Sequence, residues 1–238
     1  MPSPTPPLLR ADGISLHGVR EDIRAISIAI EPRRFTLLSG QPGSGAGLLL
    51  RLLGLLERAE AGELWIDSQP TAPLDDAARL TLRNRTFGYL FAEPFLLDSF
   101  TVAENVAMPL FKISGFGIEE ARSRTATMLD FAGIVSIADG NVCDLSLLDR
   151  HKLSLVRALA IAPQALIAED ACLQLPPHDI AEFTALLRSV PAQLGIAVIC
   201  TSHAPVDLLA PDREIRLDHG LIAADSHPVS IHEAPAHD

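Results

Sequence analysis

The feature that most restricts this chain is a strand that runs straight into a glycine-rich turn and then into an apolar helix. Residues 35–40 read Phe-Thr-Leu-Leu-Ser-Gly, a short apolar run of the kind that forms a buried strand. The turn is Gly40-Gln41-Pro42-Gly43-Ser44-Gly45-Ala46-Gly47. From Leu48 to Leu56 the chain is apolar apart from Arg51 and Gly54, and is long enough for a helix. A strand handed through a glycine turn to a helix belongs in an α/β fold, because the helix packs back on the strand's sheet.

The rest of the chain keeps that alternation. Residues 8–38 read as short strands; Ile26, Ile28 and Ile30 alternate with Ser27 and Ala29, a two-residue period. GELWIDSQ from Gly62 and TFGYLF from Thr86 are further strands, with a helical stretch at about 75–84 between them. From about Glu93 to Asp144 the sequence is mainly helical, with breaks at Pro94, Pro109 and residues 114–117. A helix over 147–161 leads past Pro163 into the strand ALIAED, and a helix over about 179–193 leads into GIAVICTS. REIRLDHGLIAADS reads as a hairpin turning at His219-Gly220. The alternation predicts one α/β domain with a largely parallel sheet and helices on both faces. Residues 1–7 and 225–238 are expected to be flexible tails.

The turn resembles a P-loop, GxxxxGK(S/T) between a strand and a helix, with two departures. Gly40, Gly43 and Gly45 stand where that loop needs glycine. Backbone N–H groups can then close on phosphate oxygens at the positive end of the helix, with Ser44 inside the cradle. Ala46 stands in place of the lysine, and Gly47 in place of the hydroxyl that would bind Mg²⁺. On this segment alone, a cradle and a plain link between strand and helix are both open.

Charge and composition remove several classes. A formal charge of -11 gives an acidic surface, which disfavours nucleic acid or anionic lipid as the main partner. Cys143, Cys172 and Cys200 are far apart and form no CxxC pair, so they read as buried thiols in a reducing compartment. The opening MPSPTPP does not read as a secretory leader, so none is expected. No segment reaches the ~18 apolar residues of a spanning helix. A membrane location therefore requires a partner.

Read in order, the motifs after the turn resemble those of ABC-transporter nucleotide-binding subunits over about residues 8–224, closest to the lipoprotein-release and macrolide-export branch. Gly88-Tyr89-Leu90-Phe91 is similar to the strand before the family's Q-loop, with Ala92 where the glutamine stands. Phe95-Leu96-Leu97 and Phe100-Thr101-Val102-Ala103-Glu104-Asn105-Val106 resemble a stretch typical of that branch. Leu145-Ser146 opens a segment similar to the LSGGQ signature, continued by Leu147, Leu148 and Asp149. Val156-Arg157-Ala158-Leu159 and Pro163 follow as in the family. Leu166-Ile167-Ala168-Glu169-Asp170 resembles Walker B with its acids exchanged, and Thr201-Ser202-His203 resembles the switch segment. The implied fold is a P-loop NTPase-like (RecA-like), mostly parallel α/β sheet with an antiparallel β subdomain and an inserted helical subdomain at about 93–153.

The resemblance also says what the substitutions remove. Ala46 removes a cation from the β- and γ-phosphates, and Gly47 and Ala92 each remove an oxygen near Mg²⁺. Glu169 is the remaining Mg²⁺ ligand, Asp170 the shortened general base, and His203 the γ-phosphate contact. Ser146 is the remaining signature donor toward ATP on an opposite subunit, beside bulky Leu147 and Leu148 and the charge of Asp149. ATP and Mg²⁺ binding is therefore expected to be weak or absent, and an ATP-closed homodimer is not expected. The implied protein is a non-hydrolysing subunit held on the cytoplasmic membrane face by a permease, with a second, intact ABC subunit as a further partner. An active exporter ATPase and a soluble binding module are the alternatives.

Each of these residues also has a plainer reading. Glu169 and Asp170 can be an acidic strand end, although the context favours a vestigial site. For His203, packing or hydrogen bonding is the better reading. His227, His232 and His237 read as solvated tail rather than a metal site. Phe95, Phe100, Phe111 and Phe116 fit a partner groove and an ordinary core equally well. His17 is the nearest candidate to stack on a nucleotide base, and a surface histidine is the better reading.

Overall fold

The computed structural model describes residues 6–202 and 206–227. The two-residue period near the start becomes an antiparallel sheet. In it β1 (Leu9–His17) pairs with both β2 (Asp22–Ile30) and β4 (Ala61–Ile66), and β5 (Gln69–Pro70) extends the edge. Ile26, Ile28 and Ile30 are buried as the alternation requires. Ala29 is buried too, and its carbonyl accepts a hydrogen bond from Arg213 Nη1 at 2.6 Å.

The second sheet has six strands: β3 (Phe35–Ser39), β6 (Phe87–Phe91), β7 (Ala165–Glu169), β8 (Ala197–Thr201), β9 (Arg213–Asp218) and β10 (Leu221–Asp225). Their order is β10-β9-β3-β8-β7-β6. All neighbours are parallel except the β9–β10 hairpin, which turns at His219-Gly220. Along β7, Leu166 and Ala168 enter one core while Ala165 and Ile167 enter the other. A strand buried on both faces reads as a continuous apolar run, which is why ALIA shows no alternation.

The helices α1 (Ala46–Leu53), α2 (Asp76–Thr86), α3 (Val102–Pro109), α4 (Ile118–Phe131), α5 (Leu147–Leu159), α6 (Pro177–Leu194) and α7 (Val206–Leu209) divide between these cores. α1 fills the core shared with the antiparallel sheet, whereas α3, α4, α5 and α6 pack on the opposite face. Thr101 and Glu104 form a reciprocal capping box at the start of α3. Pro109 ends α3, and a single π-helical turn, Leu110–Ser114, follows it. Strand β6 and helix α5 approach so closely that a Cβ on Gly88 would lie 2.4 Å from the Ala158 carbonyl oxygen.

One buried cation clasps the two sheets. Arg213 is 4% exposed and reaches Ala29 on β2 while its fork holds Asp225 on β10, at 2.9 and 2.6 Å. Cys172 and Cys200 are buried as expected, but Cys143 is exposed. It sits in a short 3₁₀ turn whose buried position is taken by Val142. Among the described residues no helix is long and apolar enough to cross a membrane.

Candidate functional site

Strand β3 delivers the chain into the glycine turn, and the turn ends in α1. The cap of α1 is Gly45, with φ of 97°, a backbone region that disfavours residues with a Cβ. A Cβ there would also lie 2.8 Å from the Asp22 carbonyl oxygen, so Gly45 lets the β1–β2 loop close down on the turn. Ser44 is buried, and its Oγ accepts a long hydrogen bond from Ala46 N–H at 3.4 Å.

A cavity of about 720 Å³ opens above this turn. Gly40, Gly43, Ser44, Ala46 and Gly47 line it, as do Glu169 and Asp170 at the end of β7 and Thr201-Ser202 at the end of β8. The sheet explains the grouping: β7 and β3 both flank β8, so their C-terminal ends meet. A crevice beyond the C-terminal strand ends is where open α/β sheets bind ligands. Glu21 and Arg51, which the sequence did not single out for this site, also line the cavity.

Their arrangement sets the electrostatics. Arg51 projects from α1 and donates from Nη1 to Glu169 Oε1 at 2.7 Å. Its Nη2 lies 3.8 Å from Glu21 Oε1. Glu21 in turn accepts from Gly45 N–H at 3.1 Å and from Leu48 N–H at 3.0 Å. A Cβ on Gly47 would be 3.5 Å from Glu21 Oε1 and 3.7 Å from Glu169 Oε1. Burial raises the Glu169 carboxyl above its ordinary pKa; Arg51 opposes this, while Asp170 and Glu21 reinforce it. Asp170 follows with φ of 48°, its N–H directed to the Thr201 carbonyl at 3.2 Å.

Ala92 does not line the cavity; its carbonyl faces His151 Nε2 at 3.2 Å. His151 is fully buried in α5 and packs edge-on against Phe183. Arg157, six residues further along α5, donates to the carbonyls of Pro94 and Phe95 at 3.1 and 2.8 Å. Ser146 caps α5, and both halves of its hydroxyl are engaged by Asp149: Oγ donates to Oδ2 at 2.6 Å and accepts from the amide at 3.1 Å. His17 stands at the cavity mouth, paired with Glu60 at 2.7 Å, a contact that raises its pKa. His203, His232 and His237 fall outside the described residues.

A second hollow of about 510 Å³ lies on the other side of β6 and is mostly apolar. Of the four phenylalanines singled out from the sequence only Phe95 lines it, 62% exposed; Phe91, Leu97, Met108 and Ile113 are among the other apolar residues of its wall. Phe100 and Phe111 are exposed away from it, and Phe116 packs against the helical core.

Residues 23–172 match the profile of the family described as ABC transporter. The chain belongs to the ABC transporter family. It is 31% identical over 222 residues to the lipoprotein-releasing system ATP-binding protein LolD of Anaeromyxobacter dehalogenans, covering 89% of this chain and 93% of that one. It is 30% identical over 228 residues to the methionine import ATP-binding protein MetN of Brucella abortus; this covers 92% of the ABC chain but 61% of MetN. Among solved structures it resembles cbiO1 from Clostridium perfringens, part of the ABC transporter complex cbiONQ. There the TM-score is 0.83 at 20% identity, over 93% of this chain and 88% of the other. The fold is thus the P-loop NTPase-like cassette, and the likeness to the lipoprotein-release branch holds.

Proposed function

We propose that this ABC chain is a nucleotide-binding-type subunit of a membrane transporter that does not hydrolyse ATP and serves as a structural or regulatory part. The observation that carries the reading is the Arg51–Glu169 ion pair. Glu169 is the acid that would hold Mg²⁺, and it faces a guanidinium at 2.7 Å. A cation already fixed on that carboxylate competes with a metal for the same oxygens. The neighbouring groups that would complete a metal shell are also missing, since Gly47 and Ala92 carry no side-chain oxygen. This donor set does not fit Mg²⁺-ATP, so no hydrolytic step is derived through it.

Phosphoryl transfer is almost entirely positioning and charge stabilisation, so each missing group matters. Ala46 offers no cation to the β- and γ-phosphates. A lost charge-assisted hydrogen bond of ~1.5–3 kcal/mol weakens binding by roughly ten- to a hundred-fold. Asp170 is one methylene shorter than a glutamate base, and a displacement of about 1 Å costs roughly a hundred-fold in rate. On the signature side, Ser146 gives its proton to Asp149. Leu147 and Leu148 add bulk beside it, so two copies are not expected to close around ATP.

The partner in this reading is a permease on the inner face of the membrane, docking in the apolar hollow beside β6. Exposed Phe95 and Ile113, 62% and 46% exposed, provide apolar contact of the kind an interface uses. The helical lobe at about 93–153 carries part of this surface. A second, intact ABC subunit would supply the hydrolysis.

The test is a pull-down from membranes, followed by ATPase measurement on whatever co-purifies. The expected result is a permease-containing complex whose turnover is unchanged by Asp170→Asn in this chain. Ordinary ABC turnover that Asp170→Asn abolishes ends the reading.

A further inference from the structure

The loop between β1 and β2 is folded over the start of α1 and fastened there. Gly18 N–H donates to the Glu21 carbonyl at 3.0 Å, Arg24 N–H to the Gly220 carbonyl at 2.9 Å, and Gly220 N–H to the Ser44 carbonyl at 2.9 Å. These contacts hold Glu21 against the glycine turn with its side chain 18% exposed. Its two oxygens take separate N–H groups, Gly45 at 3.1 Å and Leu48 at 3.0 Å. The first N–H groups of a helix have no acceptor within the helix and are where an anion binds. The carboxylate here does not come from the cap residue, which is Gly45 with no side chain. It comes from a different element, 24 residues earlier in the chain.

Arg51 completes the arrangement. It lies 3.8 Å from Glu21 and 2.7 Å from Glu169, so one guanidinium serves both carboxylates. Gly47 leaves the space between them clear of a side chain. Anion, cation and second anion thus run in sequence across the cavity floor, all supplied by the chain itself.

We infer that Glu21 is a built-in occupant of the phosphate seat and the residue that makes this pocket turn nucleotide phosphates away. The inference deepens the reading of a non-hydrolysing subunit and rests on it. An incoming phosphate must displace a tethered carboxylate and then remain near its charge. One like charge about 4 Å from a phosphate changes affinity by roughly five-fold in bulk water to several hundred-fold near a protein surface. Removing Glu21 opens two N–H donors and leaves Arg51 with Glu169 alone. Removing Arg51 has the opposite sign, because Glu21 and Glu169 then face the pocket without their shared cation.

The experiment is calorimetric titration of the full chain with pyrophosphate and with ADP, without metal, for wild type, Glu21→Ala, Glu21→Gln and Arg51→Ala. Glu21→Ala is expected to bind pyrophosphate at least about ten-fold more tightly than wild type. Glu21→Gln, which keeps the shape and loses the charge, moves the same way, and Arg51→Ala binds no better than wild type. Should Glu21→Ala fail to fold by circular dichroism, the glutamine variant decides alone. Folded Glu21 variants with no gain, or a wild type that already binds as tightly as they do, overturn the inference. Neither outcome involves turnover, so ATP hydrolysis by a wild-type complex would sink the parent reading separately.

Discussion

Replacing Arg213 with methionine tests whether one clasp holds the two sheets together. The Arg213 side chain is 5% exposed and that of Asp225 15%, so the pair is well removed from water. Methionine keeps much of the apolar stem but leaves the Asp225 carboxylate and the Ala29 carbonyl without their donor. Breaking a buried pair by removing one partner costs ~3–5 kcal/mol. Because Asp225 retains some exposure and its carboxylate also accepts from His227 N–H at 3.2 Å, the lower end, about 3 kcal/mol, is expected. That is a large part of a domain's usual ~5–15 kcal/mol. Urea unfolding at pH 7 should show the loss as a lower midpoint at unchanged slope. The pH dependence has a definite sign. Burial raises the Asp225 pKa, but the hydrogen bonds and charge of Arg213 outweigh it, and the net shift is below the ordinary 3.8. The clasp therefore contributes fully above the unfolded-state pKa and is lost as pH falls through the lower folded value. The gap between wild type and variant should be flat from about pH 8 to pH 5 and narrow below about pH 4. A gap under about 1 kcal/mol at pH 7 would refute the assignment.

Three further outcomes follow from the same geometry. Restoring the P-loop side chains with Ala46→Lys and Gly47→Ser should tighten ADP binding by roughly ten-fold or more, with little ATP turnover, because Asp170 and Ala92 remain; full turnover in a phosphate-release assay contradicts this. Gly88→Ala should lower stability by ~1–3 kcal/mol in urea unfolding, because its methyl meets the Ala158 carbonyl at 2.4 Å. Ser146→Ala should cost ~1 kcal/mol of stability through the lost cap on α5. It should also leave the ATPase rate of the assembled complex unchanged, and a fall in that rate would show that Ser146 does reach nucleotide.

The large features were legible because they are written locally. The glycine turn, the apolar strand before it and the acids closing β7 are each contiguous in the chain, and the parallel sheet brings their ends together. What was missed depends on contacts across long separations. Glu21 meets Gly45 from 24 residues away, and Arg51 meets Glu169 across 118. Arg51 was visible as the lone charge in an apolar helix, a signal that it needed a partner, but nothing local named that partner. Glu21 stood in a polar loop and carried no signal at all. Ser146 carried a second, local signal, because Ser-x-x-Asp at a helix start is a capping pattern, and that hydroxyl does cap α5. Cys143 is exposed because a short turn, not a strand or helix, decides which neighbour faces inward.

Helix α5 grips the segment after β6 at two places, through His151 at Ala92 and through Arg157 at Pro94 and Phe95. The two grips lie six residues apart, about 9 Å along the helix axis. A stretch held at two points on one rod follows that rod in rotation as well as translation. Anything that wedges into the hollow at Phe95 therefore pushes on a segment that α5 holds at two points. Such a linkage can pass a mechanical signal from one face of the subunit to another.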